Sequence, residues 1–436
     1  MRFGHIQKEK KDAMEEIEDD FYYRLQRHSA LYRILLSRPY SSEIHFNQWN
    51  RIDLKLVNEF GLTLTNKQKM SCWLEIDCRL LVNKDHRIQT CQDYEVFCRP
   101  IQKDGWESTV QSEIAGFQHD TEGNFEYMVV VKDEGLELSP DALKESHTYF
   151  LQISPTRKQE QTIHAFPLMI GPFAIKETMI PTTPNGKWYE PPLSFNIFHA
   201  YCLLDQSYLI VKEDWKLGTS GKLWDSALVL SHMFCDKIQK NPFYFKDRRL
   251  LDLSAGTGCI GLLLASLLKD MYRDQPDSMP EITMTDLPEA LDLIHQNRTY
   301  NHLEDYTHIM PLAWGNYEDA KQVLMKGPIH TIIASDVLYE PASFQKLVQT
   351  LDWLSTEGDV DIYLGYKRRG LSLEEELSFF NICSKRFHIR MLCSSLYSEQ
   401  MTNYPHVLSQ KEGWALNEFS SMCLDSGVNI YQLVRK

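Results

Sequence analysis

The ten cysteines include no Cys-x-x-Cys pair and show no metal-like spacing, so neither a zinc ribbon nor a dithiol redox centre is written into the chain. A secretory leader pattern is also missing. The thiols are therefore expected to be reduced, in the cytoplasm or the nucleus. Long apolar runs are absent too. The strongest, Cys259 to Leu268, is too short to span a bilayer, so no membrane segment is expected. Met1-Arg2-Phe3 is not a myristoylation start and Val434-Arg435-Lys436 is not a prenylation end. Basic charge is in short supply: 46 Lys and Arg stand against 60 Asp and Glu, a formal net charge of −14. That balance excludes a strongly basic nucleic-acid surface and leaves solubility or a basic partner as its meaning. No internal repeat or low-complexity tract is found.

What is present is length and pattern. The 436 residues suffice for two or three domains with apolar cores. Residues 1–45 are charged, with Ile17, Phe21, Leu25, Leu31 and Leu35 near helical spacing, and a helix ending at Arg38-Pro39 is predicted. Residues 46–176 read as strands. Cys72, Leu74, Ile76, Cys78 and Leu80 alternate with Trp73, Glu75, Asp77 and Arg79, and Phe125–Val131 and Tyr149–Ile153 follow, which predicts an antiparallel, sandwich-like accessory or recognition domain. A proline-containing linker is expected over 177–200. From 201 to 436 strands and helices alternate, which predicts an α/β fold with a doubly wound parallel sheet. Its strands are expected at Tyr208–Val211, Leu250–Leu253, Glu281–Asp286, Pro311–Trp314, His330–Ser335, Asp361–Tyr366, His388–Leu392 and Val428–Val434.

The α/β half turns on one stretch, Leu250-Leu251-Asp252-Leu253-Ser254-Ala255-Gly256-Thr257-Gly258-Cys259-Ile260-Gly261. A buried strand meets a turn of small residues and then a helix, whose first N–H groups lack partners. Gly256 to Gly261 satisfies GxGxxG, a pattern that serves a dinucleotide or S-adenosylmethionine. Asp252, at the strand end, is expected to face the crevice, where it would repel a pyrophosphate and attract an ammonium-bearing ligand. Asp286, ending the next strand, can accept from ribose hydroxyls of either cofactor.

These residues also resemble a known family. Leu251 to Gly258 is similar to motif I of the seven-strand S-adenosylmethionine-dependent methyltransferases. Gly221-Lys222-Leu223-Trp224-Asp225-Ser226-Ala227, Thr285-Asp286-Leu287-Pro288, Leu312-Ala313-Trp314-Gly315, Asp336-Val337-Leu338-Tyr339 and Tyr366-Lys367-Arg368-Arg369 narrow the likeness to lysine methyltransferase family 16, over about 205–436. The resemblance implies S-adenosyl-L-methionine as cofactor, held by Trp224, Asp252, Ser254, Ala255, Gly256, Gly258, Asp286, Trp314 and Ser335. It implies a protein substrate whose lysine ε-amine is methylated, with Asp336 and Tyr339 at the reacting amine. No metal is implied. The acidic chain suits a basic, for example translation-related, substrate.

Two departures stand out. Ser254 replaces the usual first glycine, and a serine fits there if its backbone torsions are negative. The irregular region from Glu399 to Gly427 falls between the last two strands, where this fold places substrate recognition. Asp336 has a second reading, as a carboxylate capping the helix near Pro341. For the chain as a whole a small-molecule methyltransferase, a catalytically silent binding protein and a nicotinamide dehydrogenase are the alternatives, although nothing resembles a hydride-transfer site.

Overall fold

The computed structural model describes residues 31–436 apart from 65–68, 70, 85, 102–112, 133–146, 157–163, 177–190, 204–205 and 395–425. The helix expected before residue 31, most of the linker and nearly all of the 399–427 region lie outside the described residues.

The chain first builds a strand-rich domain of thirteen connected strands, mostly antiparallel, around one large apolar core. Its long Trp73–Lys84 strand behaves as its pattern requires: Leu74, Ile76, Cys78 and Leu80 are buried and Asp77 and Arg79 are exposed. Leu31–Leu36 corrects one expectation. It is a strand, antiparallel to Asn50–Val57 and parallel to His164–Phe166, not the end of a helix. Tyr32 through Leu36 are all buried, so the period-2 signal that separates strand from helix is lost.

The boundary between domains is also displaced. Ile197–Cys202 and Ser207–Glu213 form a hairpin that pairs with Leu168–Lys176 and Arg87–Thr90, so Tyr208–Val211 belongs to the first sheet and not to the α/β domain.

The α/β domain follows. Its strands are β1 Arg249–Leu253, β2 Glu281–Asp286, β3 Thr307–Pro311, β4 Thr331–Ser335, β5 Asp361–Lys367, β6 Phe387–Ser394 and β7 Val428–Arg435. They lie in the order β3-β2-β1-β4-β5-β7-β6, with β7 antiparallel to both neighbours and the other pairs parallel. Seven strands are reached without Tyr208–Val211. β3 sits earlier than expected and leaves Trp314 in the turn beyond it. The helices are α1 Asp225–Lys240, α2 Cys259–Met271, α3 Pro288–Tyr300, α4 Tyr317–Leu324, α5 Phe344–Leu354 and α6 Leu373–Cys383. Alternate residues of each strand point to opposite faces. Leu250 packs with α1 and α2, and Leu251 with α4 and α5.

The two domains share structure. Phe166, Tyr201, Leu209 and Val211 pack in the same core as Leu228, Phe234 and Leu264. The free edge of Ser207–Glu213 is closed by two asparagines four residues apart, Asn297 on α3 and Asn301 just past its end. Asn301 bonds both backbone groups of Ile210 at 2.8 and 2.6 Å, and Asn297 bonds both of Lys212 at 2.7 and 3.0 Å. The amides thereby stand in for a neighbouring strand and satisfy an otherwise unpaired edge. Asn297 reaches Thr257 O as well, which ties that edge to the glycine turn.

Candidate active site

The order of the sheet reverses between β1 and β4, and the C-terminal strand ends around this point enclose the crevice where ligands of open α/β sheets bind. Three features shape the β1 turn. Gly256 has φ of 57°, and a Cβ there would lie 3.2 Å from Ser220 O. Gly261 lets α2 approach β2 so closely that a Cβ would meet Met284 Cγ at 2.6 Å. Asp286 accepts from the N–H groups of Gly256 at 2.7 Å and Leu287 at 2.8 Å, closing the turn against β2. Burial pushes the Asp286 carboxyl above its ordinary value, against those two donors.

Ser254 departs from the expected torsions. Its φ is 61°, the left-handed region that glycine favours. Its hydroxyl accepts from Trp314 Nε1 at 3.0 Å. A left-handed L-residue costs about 1–2 kcal/mol and a neutral hydrogen bond returns about 1, so the serine is tolerated at little net loss. The bond also fixes Trp314, whose ring lies 6.0 Å from that of the exposed Tyr339. Burial first, then Asp286 and Glu340, raises the Tyr339 phenol, which stays neutral.

Asp252 is buried, and its Oδ2 accepts from Gly261 N at 3.0 Å. One oxygen thus anchors the start of α2 in place of facing the crevice freely. Burial pushes this carboxyl up to about 7, with Asp286 adding to the shift and Gly261 N–H opposing it. The unfolded value is near 3.8, so between about pH 4 and 7 the native state holds the extra proton and loses stability as the pH rises. Asp252→Asn keeps an acceptor for Gly261 and removes the charge. The cofactor-free variant is expected to be more stable than the parent at pH 8, by on the order of 4 kcal/mol, with the gap narrowing to less than half of that at pH 5. Melting curves at the two pH values check this, and a gap independent of pH would disprove it.

On the other side of the crevice, Trp224 ends the loop into α1. Its Nε1 donates to Thr219 O at 2.8 Å, the Phe60 ring packs edge-to-face with it at a centroid distance of 5.9 Å, and the Arg369 guanidinium stands 4.9 Å from its ring centre. Ser335 ends β4, and its buried Oγ, like Ser226 Oγ, has no hydrogen-bond partner among the described residues. Buried hydroxyls without partners are costly, so an unfilled acceptor or donor role here fits a ligand.

Asp336 follows, with φ of 54°. It is not a free carboxylate. Oδ1 receives Arg369 Nη1 at 2.5 Å, and Oδ2 receives Arg369 Nη2 at 3.1 Å and Ser226 N at 3.0 Å. The helix it caps is therefore α1, not the one after Pro341. Behind it lies a buried chain of alternating charge that sequence reasoning left without roles. Arg369 Nε reaches Glu59 at 3.4 Å, Lys367 bonds Glu59 at 2.9 Å and Asp225 at 2.6 Å, and Arg33 bonds Asp225 at 2.6 Å. Three cations face three carboxylates, and Arg33 and Glu59 come from the strand-rich domain. Burial works to raise the Asp225 carboxyl, but Lys367, Arg33 and Arg369 pull it well below the usual range. The one signal for this network was Lys367 and Arg369 at the end of an otherwise apolar strand.

A crevice at the reversal of a 3-2-1-4-5-7-6 sheet, with an acid closing each of the first two strands and a glycine turn between them, defines the α/β domain as that of an S-adenosylmethionine-dependent methyltransferase. Residues 203–386 match the family model described as lysine methyltransferase. A zebrafish (Danio rerio) protein N-lysine methyltransferase METTL21A is 28% identical over 185 residues, 41% of this chain and 74% of that protein. A mouse (Mus musculus) EEF1A lysine methyltransferase 3 is 28% identical over 177 residues, 40% and 67% of the two chains. The Saccharomyces cerevisiae protein-lysine N-methyltransferase EFM2 is 30% identical over 130 residues, 28% of this chain and 30% of that one. Among solved structures, an O-methyltransferase from Bacillus cereus in complex with SAH is a distant likeness, with a TM-score of 0.29 and 14% identity over 51% of this chain and 85% of that one. Of the strand-rich domain only the Ser207–Glu213 strand falls within the family match.

Proposed function

We propose that this enzyme methylates a lysine side chain on a protein, with the Asp336–Tyr339 segment at the reacting amine and the β1–β2 turn holding the cofactor. The observation that carries the reading is the convergence of Gly256, Asp286, Trp314, Ser335, Asp336 and Tyr339 on the C-terminal ends of β1 to β4. Bound S-adenosylmethionine supplies a methyl group on a sulfonium sulfur. Gly256 gives the turn its close approach, Asp286 keeps two acceptor positions for ribose hydroxyls, Ser335 Oγ offers an unused polar group, and Trp224 and Trp314 offer flat walls.

The chain's own task is to present an uncharged amine. A lysine of pKa about 10.4 costs on the order of 4–5 kcal/mol to deprotonate at pH 7. A substrate amine lying against the Trp314 and Tyr339 rings would lose water there, and that desolvation lowers the cost. Asp336 already accepts three hydrogen bonds, which leaves one acceptor position on Oδ1. That is enough to orient a neutral amine through one N–H. The charge of −14 supports a basic protein as the substrate, a translation-related one among them, and eight free thiols among the described residues support a cytoplasmic or nuclear setting.

The test is direct. Calorimetry with S-adenosylhomocysteine should show binding to the parent chain and at least about tenfold weaker binding to Asp286→Ala, the loss of about 1.4 kcal/mol or more. Equal affinities would remove the ribose role, and no binding to the parent would favour a silent scaffold. Labelled methyl transfer into an extract of cells lacking the protein, followed by amino-acid analysis, should place the label on lysine. Label on another residue or on small molecules would redirect the substrate class.

A further inference from the structure

Arg369 is held at the candidate transfer site in a manner the reading above does not require. Its two terminal nitrogens fork onto the Asp336 carboxylate, its Nε faces Glu59, and its guanidinium lies over Trp224. Nη1 also donates to Lys367 O at 3.2 Å. The charged groups around it are Asp336 on the β4 loop, Glu59 from the strand-rich domain and Asp225 at the start of α1, all of which favour the cation, with Lys367 one strand position away. It has no solvent-facing role, since its side chain is only 12% exposed.

We propose that Arg369 is a positioning residue that neutralises Asp336, so that the carboxylate serves the substrate as a hydrogen-bond acceptor and not as a counter-ion. The proposal rests on the methyltransferase reading of the site. A bare carboxylate within about 4–6 Å of an amine favours the ammonium form and raises its pKa by about 1–3 units. Methyl transfer needs the free amine, so an unpaired Asp336 would oppose the reaction it is placed to assist. A guanidinium forked onto both oxygens cancels most of that field while keeping the carboxylate's direction, because bidentate pairing fixes orientation as well as charge. Glu59 holds the far side of the guanidinium. The strand-rich domain, most of which lies outside the family match, thereby enters the electrostatics of the transfer site.

The full-length chain is assayed with tritiated S-adenosylmethionine and an extract of cells lacking the protein, as initial rates between pH 6.5 and 9.5. Arg369→Gln keeps an N–H donor near Asp336 and removes the charge. Its ascending limb is expected to move up by about one pH unit, so that transfer falls about tenfold at pH 7 and recovers towards the parent rate near pH 9. Arg369→Lys keeps the charge and loses the fork. It should show a lower rate at every pH with the limb unmoved. S-adenosylhomocysteine affinity by calorimetry should stay within a few-fold of the parent in both. A uniform loss in Arg369→Gln with no movement of the limb overturns the proposal in favour of a structural role, as does failure of both variants to fold by circular dichroism. A parent chain that binds the cofactor and transfers no label removes the functional reading and this proposal with it. A parent that transfers label and a glutamine variant with an unmoved limb removes this proposal alone.

Discussion

Asp336→Ala is expected to abolish methyl transfer, by at least about 100-fold, and to lower the melting temperature at the same time. The double effect follows from the position of the carboxylate. It is the acceptor assigned to the amine, and it is also the partner of Arg369 and of Ser226 N. Removing one member of a buried pair leaves the other uncompensated, at about 3–5 kcal/mol. Asp336→Asn separates the two effects. The amide still accepts from Ser226 N and Arg369 but cannot fork with the guanidinium, so stability should recover in large part while transfer stays low. S-adenosylhomocysteine affinity, measured on folded protein, should remain within a few-fold for both. A folded asparagine variant that transfers label at the parent rate would end the assignment of Asp336 to the amine.

The α/β half alone, residues 214–436, is expected not to fold. In the intact chain Asp225 and Lys367 complete their pairs with Arg33 and Glu59. Separation would leave Asp225 on α1 and Lys367 on β5 with only each other, stripped of their second partners Arg33 and Glu59. It would also uncover the core that α1 and α2 share with Phe166, Tyr201, Leu209 and Val211, and strip Asn297 and Asn301 of the strand edge they close. Each loss is of the order of several kcal/mol, against a usual total stability of about 5–15. Expression of that fragment should give insoluble protein or a chain without a cooperative melt. A soluble fragment with a sharp transition and intact S-adenosylhomocysteine binding would show that the strand-rich domain is an appendage. Within the full chain, Arg33→Met should cost about 3–5 kcal/mol by denaturant unfolding for the same reason.

The α/β architecture was legible because its signals are local. Short apolar strands alternate with helices at regular spacing, and Asp252 and Asp286 stand at strand ends where a crevice must open. Patterns of period two likewise announced the strands of the first domain, Trp73–Lys84 above all. The failures share a cause. Leu31–Leu36 is covered on both sides and loses its alternation, and Ser207–Glu213 looks like any short buried strand until its partners are known. The sign of φ at Ser254 is invisible in a sequence, since the same serine could satisfy either torsion and only the bond to Trp314 shows why the left-handed one is kept.

The sequence alone thus determined the class of fold and the strand, turn and helix at Leu250–Gly261, because strand period, turn chemistry and helix starts depend on near neighbours. Tertiary structure decided what the carboxylates are paired with. Asp336 and Arg369 are 33 residues apart, and Lys367 and Glu59 are 308 apart. An ion pair is set by distance in space, and no spacing along the chain encodes it. The field at the proposed transfer site, and the part proposed for the first domain in it, depend on the packing of the two domains.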